Sequence, residues 1–165
     1  MKKSFLFIFI FAVFALSGIS VRQASLRPSD EFGRTVSDDR YGRAEIKIGD
    51  KTFDAYVSDT EILRERGLSG FAGLDENEAM LFVFPESGLY GFWMKDMLFS
   101  IDILWLDDSY RVVSFEKNIS QDTFPKSFYP KNLSRYVVEF KSGVLDETII
   151  TEGDRASILS ATRGK

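Results

Sequence analysis

The run Ala44-Glu45-Ile46-Lys47-Ile48-Gly49-Asp50-Lys51-Thr52-Phe53-Asp54-Ala55-Tyr56-Val57 decides the fold class. Ala44, Ile46 and Ile48 alternate with Glu45 and Lys47; after Gly49-Asp50, Phe53, Ala55 and Val57 alternate with Thr52, Asp54 and Tyr56. Strand side chains point to opposite faces with a period of two, so this spacing predicts a β-hairpin with one buried face. Downstream, Ser58 and Glu61 stand at capping-box spacing and Gly67 suits the position after a helix end, which predicts a short helix over Asp59 to Arg66. Met80 to Phe84, ended by Pro85, and Tyr90 to Met94, after a Glu86-Ser87-Gly88 turn, read as short strands. Ile101 to Leu106 is apolar on both faces except at Asp102, the pattern of a central strand covered on both sides, with Arg111 to Ile119 as its neighbour. Ser120 to Asn132 carries Pro125, Pro130, Phe124, Phe128 and Tyr129 and is expected as a long loop pinned to the surface. Tyr136 to Phe140 is a further strand, Gly143 to Thr148 a turn or short helix, and Arg155 to Leu159 a closing strand.

Composition narrows the chemistry. The 165 residues, 44% hydrophobic and 15% aromatic, suit one domain plus an export or anchoring segment. No cysteine is present, which excludes disulfides, thiolate nucleophiles and Cys-ligated metals, so stability rests on packing. No histidine is present either, which excludes Ser-His-Asp and Cys-His catalysis and His-ligated zinc or iron. A net charge of -4 opposes a polyanionic partner, so nucleic acid binding is not expected.

Lys2 and Lys3 precede an apolar run from Phe5 to Leu16, and no charge appears until Arg22. A basic n-region followed by an apolar h-region addresses the chain to a membrane through Phe5 to Val21. The stretch of about seventeen uncharged residues is at the lower limit for a spanning helix, so residues 1–21 are expected as an N-terminal anchor or a cleaved signal peptide. By the positive-inside rule the lysines are expected to place the N-terminus in the cytoplasm and everything from Arg22 onward outside, the domain being membrane-anchored, or periplasmic or secreted if the segment is cut. Residues 22–42, rich in Arg, Ser and Asp, read as a polar linker, 43–160 as the folded domain and 161–165 as a tail.

Arg66-Gly67-Leu68, Met80 to Phe84, Phe92-Trp93-Met94-Lys95, Ile101-Asp102-Ile103, Tyr136-Val137-Val138-Glu139, Gly143 and Gly153-Asp154, in this order, carry a resemblance to the domain of unknown function 192 family. It covers roughly Ile46 to Ile158, and the run Phe92 to Asp102 is its most specific part. The resemblance implies a mainly β (α+β) fold, a compact antiparallel barrel- or sandwich-like domain with one or two short helices, here preceded by the N-terminal hydrophobic helix. It implies no activity. Asp96 departs from the family pattern, where an amide residue, usually Asn, follows the Trp-Met-Lys run, and Arg135 stands where a small residue is usual.

Five residues are candidates for a ligand or ion-pair site: Trp93, Lys95, Asp96, Asp102 and Arg66. Asp102 in its apolar strand needs a partner, because an unpaired buried carboxylate costs several kcal/mol or takes up a proton. Lys95, across a turn near Leu98 to Ser100, is the expected one, either as an ion pair that fixes register or as a ligand-facing or acid-base pair; the remaining alternative is two unconnected exposed charges. Trp93 lies on the strand face opposite Phe92 and Met94, so it either packs in the core or offers a stacking platform for a sugar ring. Trp105 reads as core. Arg66 either caps the helix carbonyls or presents its guanidinium to a carboxylate or phosphate near Lys95. The acidic turns Asp75 to Glu78 and Asp107-Asp108 fit no calcium motif and read as solvated turns. No catalytic residue, metal ligand or cofactor is assigned.

By subtraction the leading expectation is a non-catalytic, membrane-tethered or exported binding or accessory module of the cell envelope, with a small-molecule, glycan or protein partner. The enzyme alternative is a glycan hydrolase or lyase using Asp102 and a second acid such as Glu139, which needs the two carboxyl groups about 5 to 9 Å apart. A third reading is a structural subunit of an envelope assembly, whose sign is a large exposed apolar patch.

Overall fold

The structure is a computed structural model that describes residues 40–162. The apolar segment Phe5 to Val21, the linker up to residue 39 and residues 163–165 lie outside the described residues. In chain order the elements are β1 (Gly42–Ile48), β2 (Lys51–Ser58), α1 (Glu61–Arg66), β3 (Glu78–Gly88), β4 (Phe92–Trp93), β5 (Ile101–Leu106), β6 (Val112–Ile119), β7 (Ser127–Phe128), β8 (Ser134–Lys141), α2 (Val144–Glu147) and β9 (Ser157–Thr162). The fold is mainly β with two short helices, as expected from the sequence.

The hairpin of β1 and β2 forms as read, with Ala44 opposite Ala55 and Ile46 opposite Phe53, and Gly49 at φ +59° supplies the left-handed turn. Seven strands make one sheet in the order β6-β5-β8-β3-β2-β1-β9, while β4 and β7 pair separately. Every pair is antiparallel except β2 and β3. Parallel neighbours need a long crossover, and the segment containing α1 provides it. Bonds from Val112 N–H to the Asp154 carbonyl and from Ala156 N–H to the Tyr110 carbonyl join the start of β6 to the approach of β9, so the sheet curls into a partly closed barrel.

Side chains alternate between the two faces. The interior holds Ala44, Ile46, Phe53, Ala55, Leu81, Leu104, Val138 and Phe140, with Val144 and Leu145 of α2 packed among them. On the outer face, Met80, Phe82, Ile103, Trp105 and Val137 are covered by Leu68, Phe71, Leu74, Met94 and Phe128 from the connecting segments. All six residues of β5 are buried, as its two-sided apolar pattern required.

Several boundaries differ from the expected ones: β4 keeps only Phe92–Trp93 of Tyr90 to Met94, β7 forms inside the expected loop Ser120 to Asn132, and β9 runs to Thr162, into the expected tail. Two further differences have a plain local cause. The N-cap of α1 is Thr60, whose hydroxyl accepts the Leu63 N–H at 3.3 Å; Ser58 instead ends β2, fully buried. Second, β3 continues through Pro85, because the ladder to β8 breaks between Val83 and Gly88 and no pairing N–H is lost there. Glu78, Gly88 and the residues between them therefore form one strand rather than a strand and a turn.

Candidate functional site

A pocket of about 540 Å³ lies on the outer face between α1 and the segment leading through β4. Phe82, Phe84, Tyr90, Phe92 and Trp93 give it an aromatic lining, Glu61, Arg64, Glu65 and Arg66 line it from α1, and Glu139 belongs to its lining from β8. Local structure explains the wall. Gly67 ends α1 at φ +50°, and a Cβ there would meet Phe82 Cζ at 3.2 Å, so glycine lets the helix end close against the ring. Arg64 is held in place by donating to the Asp59 and Val83 carbonyls at 2.6 and 2.8 Å. Phe82 and Phe92 meet edge to face at 4.8 Å, whereas Phe84 and Tyr90 stack at 3.5 Å.

Glu139 is the unusual group. It is 4% exposed, stands opposite Met80 on β3 and Ile103 on β5, and its Oε2 is buried without a hydrogen-bond partner among the described residues. Burial alone pushes its carboxyl up to about 8, so the group is mainly protonated at neutral pH. Only one other buried side-chain oxygen among the described residues shares that condition, the Ser58 hydroxyl. A buried polar group without a partner, in a cleft, is a recognised mark of a functional site.

Asp102 behaves otherwise. It is fully buried, and its two oxygens accept the Asn118 N–H at 2.7 Å and the Leu145 N–H at 2.8 Å. The expected pairing with Lys95 does not form: Asp102 shares the interior face with Leu104 and Phe140, whereas Lys95 is exposed beyond the outer face, its Nζ 5.9 Å from the Trp93 ring centroid. Asp102 instead ties α2 to the bulge of β6, where Asn118 adopts φ +54°. Nor are Asp102 and Glu139 brought together. Asp102 lies opposite Phe140 and Glu139 opposite Ile103 in the β5 and β8 ladder, so the two carboxyls point to opposite faces of the sheet. The glycan-cleaving pair is removed by that geometry.

Of the five residues singled out, four do gather. Arg66, Trp93, Lys95 and Asp96, with Ile62, Glu65 and Ser69, line a smaller hollow of about 290 Å³, and Arg66 and Trp93 also line the larger pocket. Trp93 is 53% exposed and touches Phe124 edge to face at 5.7 Å, so it is a platform at the mouth rather than core. Trp105 is core, its indole N–H donating to the Tyr90 carbonyl at 3.0 Å. Asp96 has φ +57°, a conformation open to Asn and Asp alike, which accounts for an acid where the family pattern has an amide. Arg135 reaches the Phe84 carbonyl through Nε at 3.3 Å. From the sequence, Glu139 stands out as the last residue of the Tyr136-Val137-Val138-Glu139 family run and as a second acid for Asp102, not as a site residue in its own right. The signal that marked Asp102, an acid between apolar neighbours, is present at Glu139 between Val138 and Phe140 as well.

This geometry defines a small, partly closed mixed-sheet barrel with an acid-containing aromatic pocket on its outer face. The chain belongs to the domain of unknown function 192 family, described as uncharacterised ACR, whose model matches residues 44–158. It is similar to UPF0127 proteins of Thermococcus gammatolerans, 36% identical over 103 residues covering 61% of this chain and 63% of that protein, and of Thermococcus kodakarensis, 31% identical over 106 residues covering 61% and 62%. The chain thus spans less than two thirds of the length of these curated relatives. Among solved structures it resembles a protein described as a candidate transcription regulator from Sinorhizobium meliloti 1021, with TM-score 0.68, 20% identity and coverage of 72% of this chain and 95% of that one. It also resembles a protein of unknown function from Novosphingobium aromaticivorans, with TM-score 0.62, 19% identity and coverage of 70% and 83%. These two likenesses bear on the fold alone.

Proposed function

We propose that this protein is a non-catalytic ligand-binding module of the cell envelope, tethered or exported by Phe5 to Val21, with its site in the aromatic pocket that includes Glu139. The observation that carries the reading is the Glu139 carboxyl: buried, its Oε2 without a hydrogen-bond partner among the described residues, and part of a pocket of ligand-binding size. A ligand with an apolar body would replace water against Phe82, Tyr90 and Trp93 while a polar group on it meets Glu139. The envelope assignment rests on the lysines and apolar run at the N-terminus.

The test is a thermal-shift screen of the full-length chain in detergent against amines, envelope sugars and peptidoglycan fragments, with Glu139→Gln alongside. A ligand at about a hundred times its dissociation constant stabilises by roughly 2.7 kcal/mol. A shift of several degrees that Glu139→Gln abolishes supports the pocket. A set of ligands whose shifts ignore Glu139→Gln and Trp93→Ala, or no shift at all, counts against it. The raised carboxyl also favours a second reading, general acid catalysis by Glu139, which requires turnover of a bound ligand by the wild type and loss of that turnover without loss of binding in Glu139→Gln.

A further inference from the structure

Resting on the pocket reading above, we propose that its ligand is an organic ammonium: a protonated amine carried on an apolar or ring-shaped body, with the nitrogen on Glu139 and the body against the aromatic lining. Among the described residues no ion pair with Glu139 forms. Burial is the sole cause acting on its carboxyl, with no cationic side chain among the described residues offsetting it. Arg64, a cation on the pocket wall, has its guanidinium donating to the Asp59 and Val83 carbonyls. The lateral neighbours of Glu139 in the sheet, Met80 and Ile103, are apolar and buried. Among the described residues the carboxylate therefore has no paired cation, and its Oε2 has no hydrogen-bond donor; an ammonium supplies both at one atom.

The lining suits the same ligand. Phe82, Phe84, Tyr90, Phe92 and Trp93 surround the pocket, and aromatic faces attract cations through their quadrupole, more strongly where water is excluded. Trp93 already draws a cation on this face, the Lys95 ammonium, at 5.9 Å. The other charged or titratable groups lining the pocket are Glu61, Arg64, Glu65 and Arg66 of α1 and Tyr90, so the rim acids and bases are matched in number and Glu139 decides the sign inside. A neutral hydroxyl would meet the protonated acid equally well at any pH below its titration. An ammonium instead draws the proton off Glu139, since the charged pair forms only with the carboxylate.

Benzylamine and its neutral counterpart benzyl alcohol are the probes, titrated into the full-length chain in detergent by calorimetry. Buffers of different ionisation enthalpy count the protons exchanged. Benzylammonium is expected to bind with release of close to one proton near pH 7, and its affinity to rise about tenfold per unit between about pH 6 and 7.5 before levelling above about 8. Glu139→Gln should lose that binding while melting no lower than the wild type, and Trp93→Ala should weaken it without changing the proton count. If benzyl alcohol binds as tightly as benzylammonium, or amine binding releases no proton, the ammonium assignment is overturned while the pocket stands. If neither probe binds and the wider ligand screen is blank, both readings fail together.

Discussion

Burial raises the Glu139 carboxyl from 4.5 to about 8, and the consequence for stability has a definite sign. Between those values the folded chain holds a proton that the unfolded chain has lost, so stability falls as pH rises through this window, by about 1.4 kcal/mol per unit at most, and levels above about 8. Glu139→Gln carries no such proton. Its melting temperature should match the wild type near pH 5 and exceed it by several degrees at about pH 8; parallel pH profiles for the two proteins would show that Glu139 ionises without cost. Asp102 supports the opposite expectation, because both oxygens are used as acceptors. In Asp102→Asn one oxygen becomes an NH2 facing a backbone N–H, leaving buried donors unmet at about 1–3 kcal/mol, so chemical denaturation should show a clear loss at neutral pH. The sequence marked Asp102 as an acid in an apolar strand that had to find partners. It did not show that the partners are backbone amides, because main-chain donors 16 and 43 residues away have no signature in residue identity. Trp93 was open between core and platform until the short pairing of β4 with β7 fixed which face it presents.

At the scale of elements, α1 is the weak wall of the pocket. It has six residues, none fully buried, so little apolar contact opposes its local opening. Amides closed by its turns, Arg64 N–H to the Thr60 carbonyl and Gly67 N–H to the Leu63 carbonyl, should exchange with solvent well before those of β8, as read by hydrogen exchange on the full-length chain. Equal protection in α1 and β8 would make the wall as rigid as the sheet. Gly67→Ala tests the same element: left-handed φ and the 3.2 Å approach to Phe82 together predict a loss of about 1–2 kcal/mol. Most elements were legible because alternation is a local signal: the β1 and β2 hairpin and the two-sided β5 follow from spacing, and the Gly67 end of α1 from its end residue, whereas the Ser58 and Glu61 spacing pointed to the wrong N-cap. Pairing direction was not. Nothing in Lys51 to Ser58 or Met80 to Phe84 states that β2 and β3 run parallel; that follows only once α1 and the segment to Asn77 carry the chain back to the same end of the sheet. Pro85 misled for a related reason, since a strand can pass through proline wherever its neighbour's ladder is already interrupted.

For the domain as a whole, the two hydrophobic clusters share their strands. Within β8, Val138 and Phe140 face the interior while Val137 faces the outer layer; within β5, Leu104 and Leu106 face inward while Ile103 and Trp105 face out; β3 divides Leu81 from Met80 and Phe82 in the same way. Neither cluster can be dismantled without removing strands that the other needs, so the sheet should unfold as one cooperative unit even though α1 opens locally. The two tryptophans allow this to be measured, because Trp105 is fully buried against the sheet and Trp93 stands at the pocket mouth. In a Trp93→Phe variant of the full-length chain, urea unfolding followed by Trp105 fluorescence should coincide with the loss of strand signal in circular dichroism. In a Trp105→Phe variant, Trp93 emission should respond to a pocket ligand under conditions where the strand signal does not change. A Trp105 transition that precedes the loss of strand signal would mean that the outer layer separates from the barrel, and the pocket would then be held by a semi-independent layer rather than by the sheet that places Glu139 in it.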